Sequence, residues 1–224
     1  MLTIEAREET WPLKEVFRIA RGACTEARVV VVTVSNAEHT GRGECVPIAR
    51  YNQNTASVLM QIESIKSVRE LNRDKLQQLL QPGAARNALD CALWDLQAKI
   101  FGKPVWELAN IPVVPEVVTT LTISLDTDAK MAAAAMANST APILKLKLGG
   151  DDLDLARVKA VSEAAPAARV LIDANESWSR EHYEEIVPAL KELGAEIFFE
   201  RVALRPGKPT VFARLWPGRT ATPA

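Results

Sequence analysis

Two lysines and two carboxylates stand at the ends of apolar runs in this chain: KLKLG at Lys145–Gly149, LIDAN at Leu171–Asn175 and FFE at Phe198–Glu200. Lys147 and Asp173 are 26 residues apart, and Asp173 and Glu200 are 27 apart. Residues i and i+2 of a strand share a face, so Lys145 and Lys147 point one way while Leu144, Leu146 and Leu148 point the other. Two ammonium groups on an inward face are costly unless a carboxylate, a metal-bound anion or water answers them. Crowding also lowers the pKa of at least one amine toward neutrality, which makes a usable general base. Hard carboxylate oxygens at neighbouring strand ends suit Mg²⁺, so the set supports amine acid/base chemistry beside a bound divalent cation. Taken singly, each residue has a plainer account: lysines that snorkel to solvent, and acids that cap helices or anchor loops. The joint pattern favours the site. Asn175, two residues beyond Asp173, is placed either to orient a carboxylate or the metal shell or to anchor its loop.

The repeat of about one strand, one helix and two loops is what a (β/α) barrel requires, because its strands bring their C-terminal ends to one mouth. From about Pro115 the chain alternates strictly. Strands are expected at Val117–Ser124, Ile143–Leu148, Arg169–Asp173 and Glu196–Glu200, with helices at Asp128–Asn138, Leu153–Ala164 and Ser179–Leu193 between them. Ser179 is a fair N-cap for the last helix. The first hundred residues read differently. Strands at Thr3–Glu9, Val16–Ala20, Ala27–Val34 and Gly41–Val46 precede helices at Thr55–Leu71 and Ala84–Ile100, an order that describes an α+β unit. The expected architecture is therefore an α+β N-terminal capping domain over residues 1–112, followed over 113–200 by an incomplete (β/α) TIM-type barrel of four strands where a closed one has eight. An unclosed sheet exposes strand edges, so aggregation or homo-oligomerisation is expected unless something covers them.

Composition narrows the function classes. Of 224 residues 48% are hydrophobic and 25% charged, enough for a real core, and a formal net charge of -1 argues against nucleic acid or an anionic membrane as partner. The longest apolar run, Val29–Val32, is far too short for a membrane span, and the acidic start MLTIEAREE lacks a signal-peptide pattern, so a cytoplasmic location is expected. Cys24, Cys45 and Cys91 are odd in number and widely spaced, which fits reduced thiols. The tail over 201–224 holds four Arg, one Lys, four Pro and no acidic residue, whereas residues 1–200 carry 28 acids against 22 bases. Without an apolar period of 2 or 3.6, it is not expected to form a βα unit. It reads as a frameshifted or artificial terminus, or alternatively as a natural basic extension for an anionic partner.

With these residues in view, the chain resembles the enolase superfamily in its muconate-lactonizing branch: an α+β start, ARNALDCALWDL at Ala85–Leu96 followed by GKPVWELA, then KLK, DAN and a strand-end glutamate. WPL at Trp11–Leu13, RIARGA at Arg18–Ala23, EARVVVV at Glu26–Val32 and GAARNALDCALWDL at Gly83–Leu96 are similar to the bacterial L-Ala-D/L-Glu dipeptide epimerases. The resemblance covers about residues 1–200. It implies a Mg²⁺-dependent epimerase serving murein-peptide recycling, with a small acidic dipeptide as substrate. Lys147 would remove the α-proton, Lys145 would tune it and touch the substrate carboxylate, and Asp173 and Glu200 would be metal ligands. Arg21 would bind the substrate's acidic side chain, and Thr122 would contact substrate at the end of the first barrel strand. FFER departs from the EQP that follows this glutamate in the family. The family's lysine on the sixth strand, third carboxylate on the fifth and late aspartates have no counterpart here, so the chain as written is expected to be inactive. An o-succinylbenzoate synthase or muconate cycloisomerase would share the same lysines and acids, and a non-catalytic fragment is the remaining alternative.

Overall fold

The structure, a computed structural model, describes residues 2–113, 115–199 and 212–215. The chain divides into two units, one of residues 1–13 and 26–116, the other of 14–25 and 117–224.

The first unit carries a three-stranded sheet in the order β1 (Thr3–Ile19), β2 (Gly22–Ser35), β3 (Thr40–Cys45). The two early strands expected at Thr3–Glu9 and Val16–Ala20 are a single 17-residue strand, continuous through Pro12. Proline lacks only the amide donor and its φ suits extended backbone, so it interrupts no strand at a position that donates no ladder bond. Asn36 makes the β2–β3 turn with its own side chain, Oδ1 accepting the amides of Glu38 at 2.9 Å and His39 at 2.6 Å. On β3 the period of 2 sends Gly41, Gly43 and Cys45 inward and Arg42 outward. The inward residues meet α3 (Ala84–Phe101) where Ala88 and Ala92 form a small-residue stripe one turn apart. The outer strand's amide at Arg42 is satisfied by Asp95 Oδ2 at 2.7 Å, which also holds Lys99 Nζ at 2.8 Å, and that ammonium donates to the Thr40 carbonyl at 2.7 Å. α3 thus covers the sheet and closes its edge.

Val30, Val32 and Val34 of β2 pack with the buried stripes of α3 and of α1 (Thr55–Ile65), whose Val58, Ile62 and Ile65 face the same core. α1 ends at Ile65 rather than running on to Leu71. The seven-residue α2 (Arg73–Leu79) follows, placing Leu76 in that core, and was not legible in the sequence. The short α4 (Val105–Leu108) begins after Pro104, beyond the left-handed Gly102 that ends α3.

The second unit alternates as expected: β4 (Leu121–Ile123), α5 (Asp128–Ala137), β5 (Ile143–Lys147), α6 (Asp154–Ala164), β6 (Arg169–Asp173), α7 (Arg180–Glu192) and β7 (Ala195–Phe199). β4, β5 and β6 are parallel neighbours. Ile123, Leu144, Leu146, Leu148 and Val170 are buried with the inner faces of α5, α6 and α7, so the apolar side of the sheet is covered by its crossover helices. Ser179 caps α7 as its sequence position implies, accepting the His182 amide at 3.1 Å.

One strand departs from the barrel plan. Phe212–Leu215 of the tail form β8, which lies between β6 and β7 and runs antiparallel to both. The outer edge of β6 offers amides and carbonyls to a further strand, and β8 pairs there at Val170 with Leu215. Among the described residues no helix is long and apolar enough to cross a membrane.

Candidate active site

The parallel register sets the site. Thr122 pairs with Lys145, Lys145 with Leu171, and Lys147 with Asp173. Register partners in parallel strands share a face, so Thr122, Lys145, Lys147 and Asp173 rise from the side of the sheet opposite the leucine core. Lys145 Nζ and Lys147 Nζ each lie 2.8 Å from the same oxygen of Asp173, Oδ2. Lys147 is the deeper of the two, at 7% exposed. The other Asp173 oxygen, Oδ1, accepts the backbone amide of Asn175 at 3.0 Å. Asn175 therefore orients the carboxylate through its main chain, from a left-handed turn in which it has φ 50° and Glu176 has φ 65°.

Burial alone would push the Asp173 carboxyl up. The hydrogen bonds from Lys145, Lys147 and the Asn175 amide, with the charge of Lys147, outweigh it and hold the group down at about 2. A carboxyl whose folded pKa lies below its ordinary value of 3.8 stabilises the fold fully above that value, and the stabilisation fades as pH falls toward 2. Wild-type protein is thus expected to lose its stability advantage over Asp173→Asn between about pH 4 and pH 2, as paired urea titrations would register. A constant difference across that range would contradict the charge pairing.

Two neighbours of the pair come from the β1–β2 hairpin tip. The Phe17 ring lies under Lys147, its centroid 5.9 Å from Nζ, which gives the ammonium a second, softer contact. Arg21 reaches the site loop as well, its Nη1 3.1 Å from Glu176 Oε2. The tip is further tied by the Leu125 amide donating to the Arg18 carbonyl at 3.1 Å. Nothing in the local pattern around Phe17 marks it as a site residue. Glu176 is adjacent to DAN and was within reach of sequence reasoning. Glu200, the second carboxylate of the pattern, lies outside the described residues.

The donor set suits a hard cation in kind. Asp173 is ionised, and the buried Asn175 Oδ1, two residues along the chain, has no hydrogen-bond partner. Among the described residues no group of three potential ligands is preassembled. A cation at Asp173 would share the carboxylate with the two ammonium groups on Oδ2 and the Asn175 amide on Oδ1.

Residues 1–109 match the mandelate racemase / muconate lactonizing enzyme N-terminal domain, and residues 127–201 match the enolase C-terminal domain-like family. The chain belongs to the enolase superfamily. It is 42% identical over 198 residues to the L-Ala-D/L-Glu epimerase of Escherichia coli (strain K12), a match covering 87% of this chain and 61% of that protein. An enolase family member from Agrobacterium tumefaciens with homology to dipeptide epimerases, solved with bound sodium and L-Ala-L-Glu and with an ordered loop, is 42% identical with a TM-score of 0.79. That match covers 87% of this chain and 60% of that one. A dipeptide epimerase from Cytophaga hutchinsonii, complexed with Mg and D-Ala-L-Val, has a TM-score of 0.75 at 29% identity, covering 85% of this chain and 56% of its own. The chain spans about three fifths of the length of these relatives. This superfamily member has an antiparallel capping sheet followed by a partial parallel β/α region.

Proposed function

We propose that this site removes the α-proton of the C-terminal residue of L-Ala-D/L-Glu-type dipeptides, with Lys147 as the base, as part of an epimerisation through an enolate. The observation that carries this reading is the pairing of a nearly buried Lys147 with Asp173 at 2.8 Å, beside a more exposed Lys145 on the same carboxylate oxygen. The names of the relatives support the substrate class. Lys147, held at a strand mouth, delivers a proton acceptor to one face of a bound α-carbon. Lys145, at 37% side-chain exposure, is free to turn from Asp173 toward a substrate carboxylate. Asp173 and Glu200 would hold Mg²⁺, which when bound would supply charge neutralisation for the enolate. Thr122, in register with Lys145, and Asn175 are proposed to contact the substrate. We place the reaction in the cytoplasm, in the recovery of murein peptides.

Among the described residues the proton-transfer groups lie on one strand, so they serve one face of the substrate. Epimerisation needs a second acid on the opposite face. The chain is accordingly expected to exchange the α-proton for deuterium with retention of configuration, without interconverting the two diastereomers. Proton NMR of L-Ala-L-Glu and L-Ala-D-Glu in D₂O with Mg²⁺ reads both events at once. Loss of the glutamate α-proton signal without appearance of the other diastereomer supports the proposal. Absence of exchange with a folded protein overturns it for this chain.

Arg21 tests the substrate class. An arginine that reads an acidic side chain makes a charge-assisted bond, so Arg21→Ala is expected to raise KM for L-Ala-L-Glu by about 10-fold or more. KM for the neutral L-Ala-L-Gln should hardly move. Equal losses on both would assign Arg21 to the hairpin rather than to the substrate, and would favour a cycloisomerase-type reaction at the same lysines.

A further inference from the structure

Asp154, in the first turn of α6, is fully buried and gathers more donors than any helix cap needs. Its Oδ1 accepts the Gly149 amide at 2.9 Å and Arg157 Nη1 at 2.8 Å. Its Oδ2 accepts the Gly150 amide at 2.9 Å and Trp178 Nε1 at 2.8 Å, with His182 Nε2 at 3.5 Å. A capping side chain bonds the amides of its own helix. Asp154 instead reaches back to the turn that follows Lys147 and across to the loop that follows Asp173.

The two loops it joins are shaped to need such a tie. Gly150 has φ 75°, and a Cβ there would meet the Ser177 carbonyl oxygen at 2.4 Å, so the turns are in direct backbone contact. The second loop bends through the left-handed Asn175 and Glu176, a conformation that persists only where the surroundings over-determine it. The Leu148 amide donates to the Asp173 carbonyl at 3.2 Å, continuing the strand pairing up to the point where Asp154 takes over. The second anchor is Arg157, which bonds Asp151 as well as Asp154 and donates Nε to the Asp126 carbonyl at 2.9 Å, so the β4–α5 loop is held by the same knot. A buried ion pair is a poor way to gain stability, since desolvation offsets most of the attraction. What it secures is geometry.

We infer that Asp154 is a positioning residue for proton transfer: by binding the turn after β5 and, through Trp178, the loop after β6, it sets the separation of Lys147 and Asp173. The inference rests on the proposed function for its kinetic consequence, but its geometric part stands apart from it. Trp178→Phe removes the indole donor and keeps a ring. Asp154→Asn keeps the shape, but an amide with one acceptor oxygen cannot answer four donors. Val161→Ala, at a fully buried position in α6 away from the knot, serves as the control for lost stability alone.

Two readouts are made on each variant well below its melting temperature. The first is acetic anhydride labelling of Lys147 relative to the exposed Lys130, followed by mass spectrometry. The second is kcat and KM for α-proton exchange. Trp178→Phe and Asp154→Asn are each expected to raise relative labelling of Lys147 several-fold and to lower kcat by about 10-fold with KM within about twofold, as losses of supporting contacts do. Val161→Ala should lower the melting temperature and change neither. Unchanged labelling and kcat in both knot variants, with only the melting temperature lowered, would overturn the positioning role. If the wild-type chain shows no exchange, the proposed function fails alone, and the labelling ratios decide the role of Asp154.

Discussion

Lys147→Ala is expected to cut deuterium exchange at the dipeptide α-carbon by about 10³-fold, the scale of a lost general base. The expectation rests on position. Lys147 sits at 7% exposure against a carboxylate and an aromatic ring, and among the described residues only Lys145 offers another amine on that sheet face. Lys145 is held on the same Asp173 oxygen but is more open to solvent, so it is less able to keep an amine fixed against a substrate carbon. Lys145→Ala should therefore cost less than Lys147→Ala, with a larger share of its loss in KM. The fold should survive both changes, because Asp173 retains one ammonium and the Asn175 amide in either variant. Exchange rates from α-proton NMR, with circular dichroism to establish folding, check the pair. Equal activity in Lys147→Ala and wild type would place the base elsewhere and remove the central role given to this strand.

Gly43→Val should unfold the N-terminal unit or come close to it. A Cβ at Gly43 would lie 2.0 Å from the Ala88 carbonyl oxygen and 2.7 Å from the Ala92 amide, and at Gly41 it would lie 2.1 Å from the Ala92 carbonyl oxygen. These are backbone atoms of α3, so no side chain can turn aside, and the helix itself has to leave the sheet. Overpacking usually costs about 1–3 kcal/mol where side chains can adjust, and here the upper end or more is expected. The alternation of β3 provides the control. Arg42→Ala lies one residue away on the opposite face, at 56% side-chain exposure, and keeps the amide that Asp95 binds, so its cost should stay within about 0.5 kcal/mol. Urea denaturation followed by circular dichroism separates the two. A mild Gly43→Val would mean that α3 and β3 are not in the close approach described.

The two predictions fall where the sequence was legible to different degrees. KLKLG declares itself through a period of 2, because a strand with one face under helices must alternate, and the charged face is then the one left for chemistry. The same logic reads β6 from Arg169 to Asp173 and α3 from its stripe of Ala88, Ala92 and Leu96. Gly41 and Gly43 were visible only as strand residues. Their reason is the helix on top of them, more than 40 residues on. α2 escaped because seven residues with one buried leucine carry too little periodicity to register. The break expected between Thr3–Glu9 and Val16–Ala20 failed because strand continuity depends on neighbouring strands rather than on the residues between.

By itself the sequence determined the (β/α) alternation, the α+β start, the superfamily and the set Lys145, Lys147 and Asp173, since each is written in local period, spacing and motif. The tertiary structure alone decided which groups meet. Both lysines share one oxygen of Asp173, Phe17 and Arg21 arrive from a hairpin more than 120 residues earlier, and Asp154 ties two loops, one through the Gly149 and Gly150 amides and the other through the Trp178 indole. It also decided that Phe212–Leu215 lie between β6 and β7. Pairings of this kind depend on which edges and donors remain unsatisfied after the local elements have formed, and no window of sequence contains that information.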